Sequence, residues 1–197
     1  MSQTDLFGAA EPHLPEGMRY ELDFLSRDEE AALVRRIETL PLEPMRYKGY
    51  TALRRVVSYG GKYDYEADVL NDAAPVPPWL HPLRDKAAAW AGLDARQFGH
   101  ALVAEYRPGT PLGWHRDVPD FEDVVGISLA AVAVMKFRPY PPEGSTLAQV
   151  IKLELEPRSI YLLRGPARWA WQHAVAPTKQ LRYSITFRSR RARAAGR

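Results

Sequence analysis

The run Arg182-Tyr183-Ser184-Ile185-Thr186-Phe187-Arg188 constrains this chain more tightly than any other stretch. Polar and apolar residues alternate through it without a break, which is the period of a β-strand and not of a helix. Arg182, Ser184, Thr186 and Arg188 therefore share one face, and Tyr183, Ile185 and Phe187 share the other. Six strand steps separate the two arginine Cα atoms by roughly 20 Å. With each long side chain leaning inward by about 6 Å, the guanidiniums come within roughly 8 Å of one another, close to the length of a five-carbon diacid. A guanidinium fork grips a carboxylate through two parallel hydrogen bonds, so the pair reads as a dicarboxylate clamp.

A second feature stands earlier, in Gly113-Trp114-His115-Arg116-Asp117. On a strand, His115 and Asp117 project to one side while Trp114 and Arg116 point away. His173, after Trp171-Gln172, offers a second imidazole. Two histidines and one carboxylate form a facial set that suits Fe(II) and leaves coordination positions open for a co-substrate and oxygen. Taken alone, His-x-Asp has a plainer reading as a surface hydrogen-bonded pair. The third ligand and the arginine strand weigh against it. The chain contains no cysteine, so histidines and carboxylates are the only ligands on offer.

Together with the Tyr106-Arg107-Pro108-Gly109 turn, these residues resemble the AlkB family of Fe(II)- and 2-oxoglutarate-dependent dioxygenases. That family carries a tyrosine–Pro-Gly segment, His-x-Asp, a distant His and then Arg-x5-Arg. The likeness runs from about Gly17 to Arg188. It implies Fe(II) on His115, Asp117 and His173, with 2-oxoglutarate chelating the metal. It further implies Arg182 on the distal carboxylate, Arg188 near the C1 end, Tyr106 adding a hydroxyl, and Ser184 within the same co-substrate site. The implied fold is α+β but mainly β: a double-stranded β-helix (jelly-roll) core with N-terminal helices and a nucleotide-lid hairpin. The implied activity is oxidative removal of alkyl groups from nucleobases in DNA, with formaldehyde, succinate and CO2 released; the alternatives are a 2-oxoglutarate oxygenase acting on RNA, protein or a small molecule, and a nucleic-acid-binding module without turnover. Three positions depart from the family pattern. Ala104 and Ser184 stand where members carry asparagine, which removes polar contacts to the co-substrate, and Pro119 stands where several carry an acidic residue that faces the target base.

The rest of the chain fits around that core. Residues 1–16 lack periodicity and read as a tail. Within it, Gln3-Thr4-Asp5-Leu6-Phe7 resembles the short peptide by which bacterial repair proteins dock on the DNA sliding clamp, with Gln3, Leu6 and Phe7 as its anchors. Met18 to Leu25 reads as a first strand. Ser26-Arg27-Asp28-Glu29 is a capping box, and Leu33, Val34, Ile37 and Leu40 follow at helical spacing until Pro41. The segment from Arg54 to Tyr65 reads as a hairpin turning at Gly60-Gly61. It is either an ordinary solvated hairpin or, as the resemblance implies, a lid in which Arg54, Arg55, Tyr59 and Tyr63 hold nucleic acid. Leu83, Ala87 and Trp90 mark a short helix ended by Gly92. From Gln97 onward short strands alternate with turns, so the lid and helices occupy 17–96, the core 97–188, and a basic tail 189–197. His13, His81 and His100 fall outside the motif, and Trp169 and Trp171 fit either sheet core or pocket wall. A net charge of +3 and a pI near 9.2 permit a polyanionic partner without demanding one. The expectation is a monomeric, cytoplasmic protein without a membrane span, acting on alkylated nucleic acid, DNA before RNA.

Overall fold

In the computed structural model, which describes residues 14–47, 50–64, 67, 69–142 and 150–191, the arginine strand is β13 (Arg182–Arg190). It lies in the middle of a seven-stranded sheet, paired antiparallel on one side with β6 (His100–Tyr106) and on the other with β8 (Phe121–Leu129). The remaining strands of that sheet are β1 (Met18–Glu21), β2 (Glu43–Tyr47), β3 (Tyr50–Tyr59) and β11 (Ile160–Leu163), in the order β1-β11-β8-β13-β6-β3-β2. A second sheet, ordered β10-β9-β12-β7, holds β7 (Leu112–His115), β9 (Ala133–Pro139), β10 (Ile151–Leu155) and β12 (Trp171–Val175). From β6 onward the chain crosses repeatedly between the sheets, which is the jelly-roll plan expected from the many short strands.

Alternation along β13 decides where each face goes. Tyr183, Ile185 and Phe187 point away from the second sheet into a core built with α1 (Arg27–Ile37) and α2 (His81–Ala91), among Ile37, Leu83, Ala87 and Phe98. Each such side chain contributes about 1.5–3 kcal/mol by leaving water. α1 starts at the expected capping box but ends at Ile37, short of the Leu40 that the spacing included, because Thr39 and Leu40 bond to carbonyls three residues back, while α2 ends at the expected glycine. Ser26 Oγ accepts the Glu29 backbone N–H at 3.1 Å while the Glu29 carboxylate accepts the Ser26 N–H at 2.7 Å. Gly92 closes α2 in the left-handed region at φ 68°. No described helix is long and apolar enough to cross a membrane.

Between the sheets lies a second core, in which Met135, Phe137, Leu153 and Leu155 meet Val124, Tyr161 and Leu163. On β8 the inward residues are Val124, Gly126 and Ser128. Gly126 stands opposite Tyr161, and a Cβ at Gly126 would run into the Tyr161 ring. Gly126→Ala is therefore expected to displace that ring and lower stability by about 1–3 kcal/mol, as overpacking does. A wild-type melting temperature for the alanine variant would show that the ring has room to move.

The expected hairpin over Gly60-Gly61 is not formed. β3 pairs with β2 and β6 inside the large sheet, and β4 (Lys62–Asp64) pairs instead with β5 (Val69–Asn71) as a separate ribbon. Gly60 serves a close backbone approach and not a two-residue turn. Gly60 has φ 73°, and a Cβ there would collide with the Gly99 carbonyl. A Gly-Gly between two β-prone runs carries both meanings, and sequence alone does not separate them. The first strand is also shorter than expected, ending at Glu21. Gln3, Leu6, Phe7 and the rest of the N-terminal peptide lie outside the described residues, as does the basic tail beyond Arg191.

Candidate active site

β7 and β12 pair with His115 directly opposite His173, so both imidazoles leave the small sheet on its inner face, with ring centroids 4.2 Å apart. Asp117 follows just beyond the end of β7 and turns its carboxylate to the same point. Donor atoms of His115, Asp117 and His173 all lie within 4.8 Å of one another, a cluster able to hold one metal ion. The His115 ring is oriented by a contact between Nδ1 and the Gly113 carbonyl at 2.9 Å. A carbonyl only accepts, so Nδ1 carries the proton and Nε2 keeps its lone pair for a ligand.

The electrostatics keep these groups in their metal-binding forms. Burial pushes the His173 imidazole down to about 3, reinforced by His115 beside it. Burial also lowers His115, against the pull of Asp117. For Asp117 burial acts to raise the pKa, but Arg188, both histidines and Arg168 outweigh it, so the carboxylate sits well below its ordinary range. The result is two neutral imidazoles and one carboxylate anion.

The polar face of β13 lines the same cavity with Arg182, Ser184, Thr186 and Arg188. Arg188 Nε donates to Asp117 Oδ1 at 2.6 Å. Arg182 is 2 % exposed; its Nε donates to Ser128 Oγ at 3.0 Å, and its Cζ lies 4.9 Å from the centre of the Tyr106 ring. Arg182 Nη1 is buried with no hydrogen-bond partner among the described residues. An orphaned guanidinium donor in a closed cavity is a place prepared for an anion, because leaving it unpaired is costly. The Tyr106 hydroxyl accepts from Arg54 Nη1 at 3.3 Å. Burial would raise its pKa, but the Arg54 and Arg182 guanidiniums more than offset this and the net shift is downward. The donor set therefore fits a metal ion at one end and a carboxylate at the other.

The four residues expected on the lid do not share a surface. Arg54 is 8 % exposed and points into the cavity, where Nη1 donates to Tyr106 Oη at 3.3 Å. Arg55, on the opposite face of β3, is engaged by Glu105 at 3.1 Å and by the Leu42 carbonyl. Tyr59 packs against the helical core, and Tyr63 lies on the β4–β5 ribbon. The cause is the same as for the missing hairpin: β3 is an interior strand with both faces engaged.

Arg168, next to the cavity, gave no sequence signal. Arg168, on the short helix α3 (Pro166–Trp169), is 2 % exposed and its Nη2 donates to the carbonyls of Asp117, Val118 and Phe121. One side chain thus staples the loop that presents Asp117. His100 lies behind Arg188, with its Nδ1 3.5 Å from Arg188 Nη1 and its ring against Phe121. Burial and Arg188 hold it neutral, down to about 3. His81 contacts the Val76 carbonyl at the start of α2, away from the cavity. Trp171 joins the inter-sheet core, and Trp169 donates to Glu122.

Comparison with known proteins agrees with this geometry. The family model described as the 2OG-Fe(II) oxygenase superfamily matches residues 17–188. A Xenopus tropicalis protein named tRNA (carboxymethyluridine(34)-5-O)-methyltransferase alkbh8 is 28 % identical over 177 residues, covering 85 % of this chain but 26 % of its own length. An Arabidopsis thaliana protein named Alkylated DNA repair protein ALKBH8 homolog is 31 % identical over 63 % of this chain and 42 % of its own length. The chain thus spans less than half of these relatives, although it covers 81 % of the uncharacterized protein L905 of Acanthamoeba polyphaga mimivirus, 25 % identical. Among solved structures, that of OsALKBH1 superposes with a TM-score of 0.70 over 91 % of this chain at 17 % identity, a likeness of fold. With its cavity offering a two-histidine, one-carboxylate set beside a buried arginine, the chain belongs to the 2OG-Fe(II) oxygenase superfamily and is an AlkB-like dioxygenase that uses Fe(II) and 2-oxoglutarate.

Proposed function

We propose that this protein oxidatively dealkylates nucleobases, with DNA as its polymer. The observation that carries the proposal is the convergence of His115, Asp117, His173, Arg182 and Arg188 on one cavity. In this reading His115, Asp117 and His173 hold the metal, Arg182 and Tyr106 hold the distal carboxylate of 2-oxoglutarate, and Arg188 orients Asp117. When bound, Fe(II) and 2-oxoglutarate activate oxygen for oxidation of an N-methyl carbon, and the hydroxylated product sheds formaldehyde to leave the N–H base. The chain's own work is positional. Arg168 fixes the loop that carries Asp117, and the Gly113 carbonyl fixes the tautomer of His115. A paired base must be flipped out to reach it, at a cost of a few kcal/mol.

A nucleic-acid partner is also supported by the outer face of the small sheet. Lys136 and Lys152 stand directly opposite each other, a like-charge pair that destabilises a sheet. Arg138 stacks 4.5 Å over Trp114, and Arg116 stacks 3.7 Å over Tyr140. None of these four cations has a carboxylate within salt-bridge distance among the described residues. Cations interleaved with aromatic rings suit a phosphate backbone and its bases. Lys136→Glu with Arg138→Glu is expected to weaken oligonucleotide binding and to reduce the log–log salt slope by about 0.7–0.9 for each phosphate no longer neutralised. Consumption of 2-oxoglutarate without substrate should be unchanged. An unaltered salt slope would remove this face from the proposal.

RNA is the second reading, favoured by the tRNA-named relative and by a Danio rerio relative named Probable RNA/DNA demethylase ALKBH6. The DNA reading includes docking of Gln3, Leu6 and Phe7 on a bacterial sliding clamp, which rests on that peptide's sequence, and a monomer working in the cytoplasm. The deciding experiment measures succinate and formaldehyde release on matched methylated and unmethylated DNA and RNA oligonucleotides. Formaldehyde from methylated DNA alone supports the proposal, from RNA alone the second reading, and from neither overturns both.

A further inference from the structure

β3 pairs with β6 so that Val56 faces Ala104 and Arg55 faces Glu105. Arg54, one residue on, therefore enters the inner face of the large sheet beside Tyr106 and on the side of Ala104. Ala104 and Arg54 line the same cavity. Arg54 Nη1 donates to Tyr106 Oη at 3.3 Å, its Nη2 donates to Met45 Sδ at 2.7 Å, and its Cζ lies 5.9 Å from the centre of the Tyr106 ring. Arg182 approaches the same ring to 4.9 Å. Two guanidiniums thus approach one phenol in the cavity. Arg182 Nη1 has no hydrogen-bond partner there among the described residues, and Asp117 is already engaged by Arg188. A carboxylate entering beside this hydroxyl would meet a cation on either side of it.

We infer that Arg54 is a further co-substrate-positioning residue, which with Tyr106 and Arg182 forms a three-sided cradle for the distal carboxylate of 2-oxoglutarate. The inference rests on the proposed placement of that carboxylate at Arg182 and Tyr106. The burial of Arg54 sets it apart from a residue that meets a nucleic-acid backbone, since phosphates bind cations presented at the surface.

The test measures binding and does not require turnover. The Fe(II)-loaded protein is titrated anaerobically by calorimetry with 2-oxoglutarate and, separately, with 2-oxopentanoate, which has the same keto acid end and chain length but no distal carboxylate. Arg54→Met is expected to weaken 2-oxoglutarate binding roughly 10–100-fold, the range for one hydrogen bond to a charged group, and to leave 2-oxopentanoate within about twofold of wild type. Arg54→Lys should recover part of the loss, because it restores the cation without the fork. Arg182→Met serves as the control for the underlying placement. Discrimination between the two acids that is lost in Arg182→Met but intact in Arg54→Met overturns the role of Arg54 alone. Equal weakening of both acids by Arg54→Met overturns it as well, since that pattern marks general damage to the pocket. A wild-type protein that binds both acids alike overturns the placement of the carboxylate itself. Should Arg54→Met fail to fold, Tyr106→Phe removes the hydroxyl that links the two guanidiniums and is expected to show the same selective loss; equal binding of 2-oxoglutarate to that variant and to wild type overturns the cradle.

Discussion

Asp117→Ala is expected to reduce succinate production to background and, in the metal-free protein, to lower stability by about 3–5 kcal/mol. The two effects have separate origins. Loss of the carboxylate leaves two neutral imidazoles, too few ligands to hold an exchangeable divalent ion firmly without a thiolate to take over. The stability loss comes from Arg188, whose Nε lies 2.6 Å from Asp117 Oδ1, with both side chains largely shielded from water. Truncating the anion strands a buried cation, and that costs far more than the pair itself contributes. The double variant Asp117→Ala with Arg188→Met should therefore recover most of the stability while remaining inactive. Urea unfolding of the metal-free proteins and succinate release with added Fe(II) read the two effects independently. Near-normal succinate production by Asp117→Ala would place the metal elsewhere.

Arg182→Ala should raise the 2-oxoglutarate KM by roughly 30-fold to several thousand-fold, the equivalent of losing about 2–5 kcal/mol from a desolvated charge pair. Turnover at saturating co-substrate should fall much less, because the distal carboxylate is bound alike in the ground and transition states. Arg182→Lys should restore only part of the affinity, an ammonium having no fork. The metal-free fold is expected to respond in the opposite sense. Arg182 is buried with one guanidinium nitrogen unpartnered among the described residues, so an apolar residue of similar length such as methionine should leave stability unchanged or raise it. Lower co-substrate affinity beside undiminished stability would mark a side chain kept for binding and not for folding. An unchanged KM would move the clamp to other residues.

The parts of this molecule that were legible in the sequence are those whose physics is local. The alternation of Arg182–Arg188 specified both faces of β13, and the capping box at Ser26 specified the start of α1, because neither depends on a distant partner. His115-x-Asp117 and His173 were legible as ligands by residue type, yet their meeting depends on β7 pairing with β12, which spacing along the chain does not encode. Arg54 and Arg55 show the limit most clearly. Adjacent and alike, they read as one basic surface, but a sheet sends neighbours to opposite sides, so one enters the cavity and the other binds Glu105. Arg168 reaches loop carbonyls at Asp117, Val118 and Phe121, far off in sequence, and an arginine in a short helix carries no mark of that task.

β13 closes the large sheet by slotting between β6 and β8, strands that it follows in the chain by many residues. Until it docks, each of those strands presents an unpaired inner edge, and neither the helical core nor the cavity has its central wall. Its two faces then serve different ends at once, with Phe187 completing the helical core and Arg188 meeting Asp117. A slip of one residue would exchange these roles, driving guanidiniums into the apolar layer and aromatic rings towards the ligands. The register that buries Phe187 in the helical core is thus the same register that brings Arg188 to Asp117, so a single strand pairing sets both the packing and the site.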